Sequence, residues 1–295
     1  MDGILNKISK LKITWLLYLL PFMLFLAIFF IYPLISGILT SLQPEGVVGF
    51  SLANYYKFFT DKRLLRSLTF TAFDLGMVAT CLSLLLAIPI TYKLRRPFRG
   101  ITTFRTIITL PLSYGGMIAC SLIVFNLGPA GLPNLFLLKY GIIAEPFSLM
   151  HSYTGLIIAS VFQQIPFIFL FLLSAMMGID PSVEEAAKTL GASSWQVFRR
   201  IILPLVFPSI IVVGLLGYIT NYGCFVTALI CGEPSVATRT VAIEAWTQAY
   251  RYYNWSMAIT VSLVAALVEM VFIILFLKLQ KKLIVGGAYG GATTI

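Results

Sequence analysis

The sequence predicts an all-α integral membrane protein with six transmembrane helices, and three observations predict it. First, 59% of the 295 residues are hydrophobic and only 11% are charged, at a mean hydropathy of +0.94. A soluble domain carries about a quarter charged residues. Second, the charges leave six stretches of at least 26 residues that each hold one charged side chain or none. A spanning helix needs about 20 apolar residues, and a helix satisfies its own backbone inside hydrocarbon. Barrel strands alternate over roughly ten residues, and these runs are continuously apolar. Third, Lys and Arg are distributed asymmetrically between the segments that join the runs.

The first run lies between Lys12 and Glu45. It is too long for a signal-peptide core, continues through Pro21 and Pro33, and lacks a small-x-small cleavage site, so we read it as a retained helix. The second, between Arg66 and Lys93, holds only Asp74. The third, from Arg105 to Lys139, is uncharged and contains Gly128-Pro129-Ala130-Gly131-Leu132-Pro133. That run reads equally as a rigid external turn or as a plain helix break. The fourth, from Glu145 to Asp180, holds only His151; the fifth, from Arg200 to Glu233, holds nothing charged; the sixth, from Arg251 to Lys278, holds Glu269.

With a cytoplasmic N-terminus, the inside segments are 1–12, 93–105, 179–200 and 278–295. They carry fourteen of the 21 basic residues, including Lys7, Lys10, Lys12, Arg95, Arg96, Arg105, Arg199 and Arg200. Their net charge is +10 against +2 outside. Both termini are therefore expected in the cytoplasm. The basic excess is a topology signal; the partner it implies is membrane lipid, and nucleic acid drops out.

Cys81, Cys120, Cys224 and Cys231 fall in or near apolar runs and read as inert buried thiols. With a single His and no clustered thiols in the sequence, no metal site is expected, and no set of residues suggests an intramembrane enzyme.

The polar loop between the fourth and fifth runs, 179–204, carries the most information. Asp180 can cap a helix with Pro181 at its first position, or Ser182 can form a capping box with Glu185. Gly191 suits a left-handed helix stop. Ser193 followed by Gln196 makes a second box that starts a helix carrying Trp195, Phe198, Arg199 and Arg200. The expected form is helix, glycine bend, helix at the membrane surface. An interfacial connector anchored by Trp195 and the arginines would share these features.

The full pattern goes further. Glu185-Ala186-Ala187, three residues, Gly191, nine residues, then Ile201-x-Leu203-Pro204 resembles the EAA signature of binding-protein-dependent ABC importer permeases. The resemblance extends from about residue 66 to 282. It divides the chain into 1–65 (tail, first helix and external loop), 66–282 (the permease domain) and a 283–295 tail. It implies the type I importer permease fold, with 179–204 as a coupling loop that docks on an ATPase. Glu184, Glu185, Ala186, Ala187, Leu190, Gly191 and Pro204 are then the candidate coupling residues. The small alanines let a partner approach the backbone, Glu185 offers a charge, and Gly191 sets the angle to the helix that re-enters the membrane.

The same resemblance implies two ATPase subunits, a second permease chain with a heterodimer favoured, and an extracytoplasmic solute-binding protein meeting segments 43–65, 128–150 and 232–254. The location implied is a prokaryotic inner or plasma membrane. No Gly-Lys dipeptide is present, hence no Walker A loop. This chain binds no cofactor of its own, and ATP and Mg belong to the partner ATPase.

Within the runs, Asp74 lies roughly 12 Å deep and Glu269 near the midplane. Charges at that depth face a bundle interior or a hydrated path by default. With Tyr218, Asn221 and Tyr222 of the fifth run they form the candidate translocation path; packing roles fit the same residue types. Leu110-Pro111-Leu112, Gly128–Pro133 and Arg239-Thr240-Val241-Ala242-Ile243 resemble the polyamine, ferric-iron and aminophosphonate branch more than the sugar branch. A sugar-type permease is one alternative. A secondary transporter or channel using Asp74 and Glu269 is another, although six runs without an internal repeat lack the inverted symmetry common there.

Overall fold

Each of the six apolar runs forms a membrane-length helical span, the third of them broken in the middle, in the computed structural model, which describes residues 18–46, 49–233 and 238–286. These helices are Tyr18–Ser41, Lys62–Leu94, Gly116–Lys139, Tyr153–Met177, Ser194–Tyr222 and Trp255–Lys281. No strand occurs among the described residues. The basic segment 1–12 and residues 287–295 of the expected C-terminal tail lie outside them.

In chain order the helices are α1 (Tyr18–Ser41), α2 (Ala53–Thr60), α3 (Lys62–Leu94), α4 (Ile101–Thr109), α5 (Gly116–Leu127) and α6 (Leu132–Lys139). They continue with α7 (Tyr153–Met177), α8 (Pro181–Thr189), α9 (Ser194–Tyr222), α10 (Val226–Cys231), α11 (Val241–Trp246) and α12 (Trp255–Gly286). The third span is α5 and α6 together, because the chain turns extended at Gly128. The Gly128–Pro133 run is thus a helix break. Asn134 spans it, donating to Gly128 O at 2.8 Å and to Phe147 O at 2.5 Å, while Phe147 N donates back to Asn134 Oδ1 at 3.2 Å.

Several spans widen locally into π-helix. In α1 the wide turn is Ala27–Ile31, just before Pro33; in α9 it is Phe198–Ile202, just before Pro204. A proline removes one backbone donor and its ring crowds the preceding turn, so the helix relaxes there into a wider one. A third π segment, Phe70–Ala79 in α3, carries Asp74 and has no proline to explain it.

The chain divides into two compact units, 1–60 with 245–263, and 61–244 with 264–295. In the first, polar side chains satisfy carbonyls at the end of α1 that have no partner within the helix. Asn54 donates to Ser41 O at 3.1 Å and to Ser256 Oγ at 2.7 Å, and Ser256 Oγ donates to Thr40 O at 2.7 Å. Among the described residues nothing buries the apolar length of α1.

The second unit is built around α7, the most buried of the spans and apolar but for a few polar side chains, among them Ser160, Gln163 and Gln164. Its Ile168, Leu172 and Met176 pack with Ala87 of α3 and Val206, Ile210 and Val213 of α9. Lipid tails are as apolar as these side chains, so close packing and interhelical hydrogen bonds hold the helices together. Gly217 permits a close approach between two spans: a Cβ there would lie 2.2 Å from Gln164 Nε2. Asn221 then donates to Gln164 Oε1 at 2.9 Å and to Thr80 Oγ1 at 3.0 Å, tying α9 to α7 and α3.

Cys120 and Cys231 are buried as expected, with Cys231 Sγ 4.0 Å from Cys120 O, whereas Cys224 is half-buried and Cys81 on α3 is exposed. An apolar run can be met by lipid or a partner as well as by its own chain, so a place within one does not by itself bury a thiol, and the expectation fails for Cys81.

Candidate functional site

The loop 179–204 folds as two helices at a bend. Asp180 is the N-cap of α8: its side chain accepts from Ser182 N at 2.9 Å, with Pro181 at the first helical position. Of the two caps the sequence allowed, this one forms. That backbone N–H holds the exposed Asp180 carboxyl below the usual carboxylate range.

The helix stops in a left-handed turn. Gly191 has φ +86° and nothing within 4 Å of an added Cβ, so the requirement for glycine is purely conformational. Gly191 N donates to Lys188 O at 2.9 Å and Ala192 N to Ala187 O at 3.0 Å, the paired bonds of a Schellman motif. Ser193 and Gln196 then form the expected reciprocal box, at 2.7 and 3.3 Å, and α9 begins.

The candidate coupling residues sort by face. Glu185 and Ala186 are exposed, Leu190 is 88% exposed, and Ala187 packs half-buried on the core beneath. Pro204 is exposed in α9 beside its π turn. Glu184 points the other way: it is 5% exposed, and its two carboxylate oxygens pair with Arg95 and Arg96, which follow the last turn of α3.

Arg95 lies over the Tyr92 ring at 4.6 Å, and Tyr92 packs tilted against Phe198 of α9 at 4.6 Å between rings. Arg105 reinforces the same terminus, donating to Leu94 O at 3.0 and 2.7 Å and to Arg95 O at 3.3 Å. A cavity of about 430 Å³ sits here, lined by Arg95, Arg96, Met177, Glu184, Glu185 and Lys188 among others. Sequence reading missed Tyr92, Arg95 and Arg96 as members of this site, because 88 or more residues separate the arginines from Glu184.

Of the candidate path residues, Tyr218 and Tyr222 lie together at 5.8 Å between rings, and Glu269 is a near neighbour of both. Tyr218 (0% exposed), Asn221 and Tyr222 are buried among α3, α7, α9 and α12, and Tyr222 Oη donates to Ala265 O at 2.8 Å. Tyr218 also packs on Phe272, at 5.1 Å between rings. Asp74 is exposed, and Glu269 is half-buried. Glu244, which no motif marks, is fully buried, with Arg239 at 2.5 Å and Arg63 at 3.4 Å. Among the described residues no group of His, Cys, Asp and Glu is placed to hold a metal. The segment 179–204 is thus an exposed short helix, a fixed bend, and anchors on two spans.

Comparison with known proteins agrees with that architecture. The family model described as binding-protein-dependent transport system inner membrane component matches residues 9–284. The chain is 26% identical to the spermidine/putrescine transport system permease protein PotB of Haemophilus influenzae, over 91% of this chain and 93% of that one. It is 29% identical to the sn-glycerol-3-phosphate transport system permease protein UgpA of Yersinia pestis, over 80% and 84%. A bacterial ABC transporter that imports the acidic polysaccharide alginate superposes with a TM-score of 0.76 at 21% identity, covering 94% of this chain and 99% of the matched one.

Proposed function

Because the chain belongs to the family of binding-protein-dependent transport inner membrane components, the permeases of ABC importers, we propose that it forms half of a solute pathway and is driven by a separate ATPase docking on 179–204. The observation that carries this reading is α8. It is capped at both ends and set at a defined angle, yet among the described residues its Glu185, Ala186 and an 88% exposed Leu190 stay on the surface. A short helix so built is pre-organised to be pushed.

The orientation follows the basic residues, with 93–105 and 179–200 in the cytoplasm. The Arg95 and Arg96 pairing with Glu184 supports placing both segments on one side. The membrane is a bacterial inner membrane. ATP and Mg are held by the two ATPase subunits, a second and different permease completes the pathway, and a binding protein delivers solute. A structural relative, the alginate importer, is known in complex with its periplasmic protein.

For the solute we favour a polyamine-like cation, supported by the PotB relative and by the acids Asp74 and Glu269 in the spans. The UgpA relative supports a second reading, a phosphorylated polyol.

One experiment tests both parts. The chain is reconstituted in proteoliposomes with its ATPase, second permease and binding protein, and ATP-driven uptake of labelled spermidine and sn-glycerol-3-phosphate is measured. Spermidine uptake is expected, and Leu190→Asp and Glu185→Lys are expected to release the ATPase and abolish it. Full uptake with residues 182–192 scrambled rejects the docking role. Uptake of the phosphate ester alone rejects the polyamine.

A further inference from the structure

Glu184 faces away from the surface on which the ATPase is proposed to dock. It is buried, its carboxylate is shared between Arg95 and Arg96, and the Arg95 side chain is itself only 5% exposed. A buried ion cluster adds little stability over well-packed apolar side chains. What it adds is direction, because guanidinium groups fix the carboxylate in position and angle. We propose that Glu184, Arg95 and Arg96 form a clasp that makes Glu184 a positioning residue for transport: it ties α8 to the end of α3, so that a push on α8 moves α3 together with α9. This rests on the docking reading above and adds a second route for the force.

Three further contacts support a rigid joint. Arg95 stacks on Tyr92, Tyr92 packs on Phe198 of α9, and Tyr92 Oη donates to Ser194 O at 3.4 Å. Both arms of the 179–204 bend therefore meet the same end of α3. Arg105 holds that end by the carbonyls of Leu94 and Arg95. Further along, α3 offers Thr80 to Asn221 of α9. Gly191 alone would deliver motion to α9 and leave α3 to follow by packing; the clasp makes the two spans one lever.

The test uses the complete transporter in proteoliposomes and reads solute moved per ATP hydrolysed, alongside the amount of ATPase that co-purifies. Glu184→Gln keeps the shape and removes the charge. It is expected to retain the ATPase and to lower the ratio about tenfold, the size of an ordinary coupling free energy. The exchanged pair Glu184→Arg with Arg95→Glu keeps one carboxylate and two guanidinium groups in the cluster and is expected to recover most of the loss, which a merely damaged fold would not do.

Should Glu184→Gln fail to assemble, Arg96→Gln serves in its place. Its side chain is 51% exposed, and it is expected to lower the ratio about threefold. A native ratio in both single variants overturns the clasp and leaves the docking reading intact. Release of the ATPase by Glu184→Gln also overturns it, because Glu184 would then belong to the docked surface. Retention of the ATPase by Leu190→Asp and Glu185→Lys instead removes the docking reading itself.

Discussion

Replacing Gly217 by Ala is expected to destabilise the bundle by about 2–4 kcal/mol. The new Cβ would lie 2.2 Å from Gln164 Nε2, 3.1 Å from Gln164 Cδ and 3.3 Å from Thr80 Cγ2. Gln164 must then move, and with it goes its 2.9 Å bond to Asn221. Forcing an extra carbon into a packed interior costs about 1–3 kcal/mol, and an interhelical hydrogen bond in a membrane bundle is worth roughly 0.6 kcal/mol and at most about 1.7. Gly214, one turn earlier on α9, provides the control. Its Cβ would meet only the Leu84 Cδ1 methyl, at 3.2 Å, and that flexible side chain can yield for less than about 1 kcal/mol. Reversible unfolding of the purified protein in mixed detergent micelles, followed as SDS is titrated in, gives both free energies. Adding Gln164→Ala to Gly217→Ala relieves the clash, so the double variant loses less than the sum of the singles. Equal effects of Gly214→Ala and Gly217→Ala, or strict additivity with Gln164→Ala, would refute the close approach of α7 and α9.

Two further outcomes are expected at the loop. Gly191→Ala places a side chain at φ +86° in open space, so its cost is backbone strain of about 1–2 kcal/mol and Gly191→Asn costs less. The readout is hydrogen exchange of the Ala192 amide, which bonds Ala187 O; equal protection in all three proteins counts against the left-handed stop. Asp180, whose carboxyl is held below its usual range by the Ser182 N–H, stabilises α8 fully above the ordinary carboxylate pKa of about 3.9 and loses that contribution as pH falls through the lowered folded-state value. The difference in melting temperature between the native chain and Asp180→Asn is therefore expected to shrink on acidification below about pH 4, and a difference that grows there contradicts the cap.

The spans were legible because hydrocarbon imposes a single local requirement, about 20 uncharged residues in a row. The caps of α8 and α9 were legible for a related reason, since Asp180, Gly191, Ser193 and Gln196 act within six residues of the groups they satisfy. The break at Gly128 was half legible: the Gly and Pro run announced a change of direction without saying whether it lay inside the span or beyond it. Long-range partnerships were not legible. Arg95 and Arg96 carried a topology signal that fully accounted for them, so nothing in the chain pointed to Glu184 as their partner. Tyr218 and Asn221 were equally ambiguous, because a polar side chain in a span looks the same whether it meets a solute or, as with Asn221, a neighbouring helix.

Asn134 uses one amide group to staple three places in the chain: its own helix, the carbonyl that ends α5, and both backbone groups of Phe147. The hairpin from 128 to 147 is thereby shaped before anything touches it. A visiting protein that settled on this rim would not need to freeze a loose loop first, and the entropy of ordering it would not be charged against the encounter. If the proposed binding protein docks on this rim, its contact there can be brief and still specific.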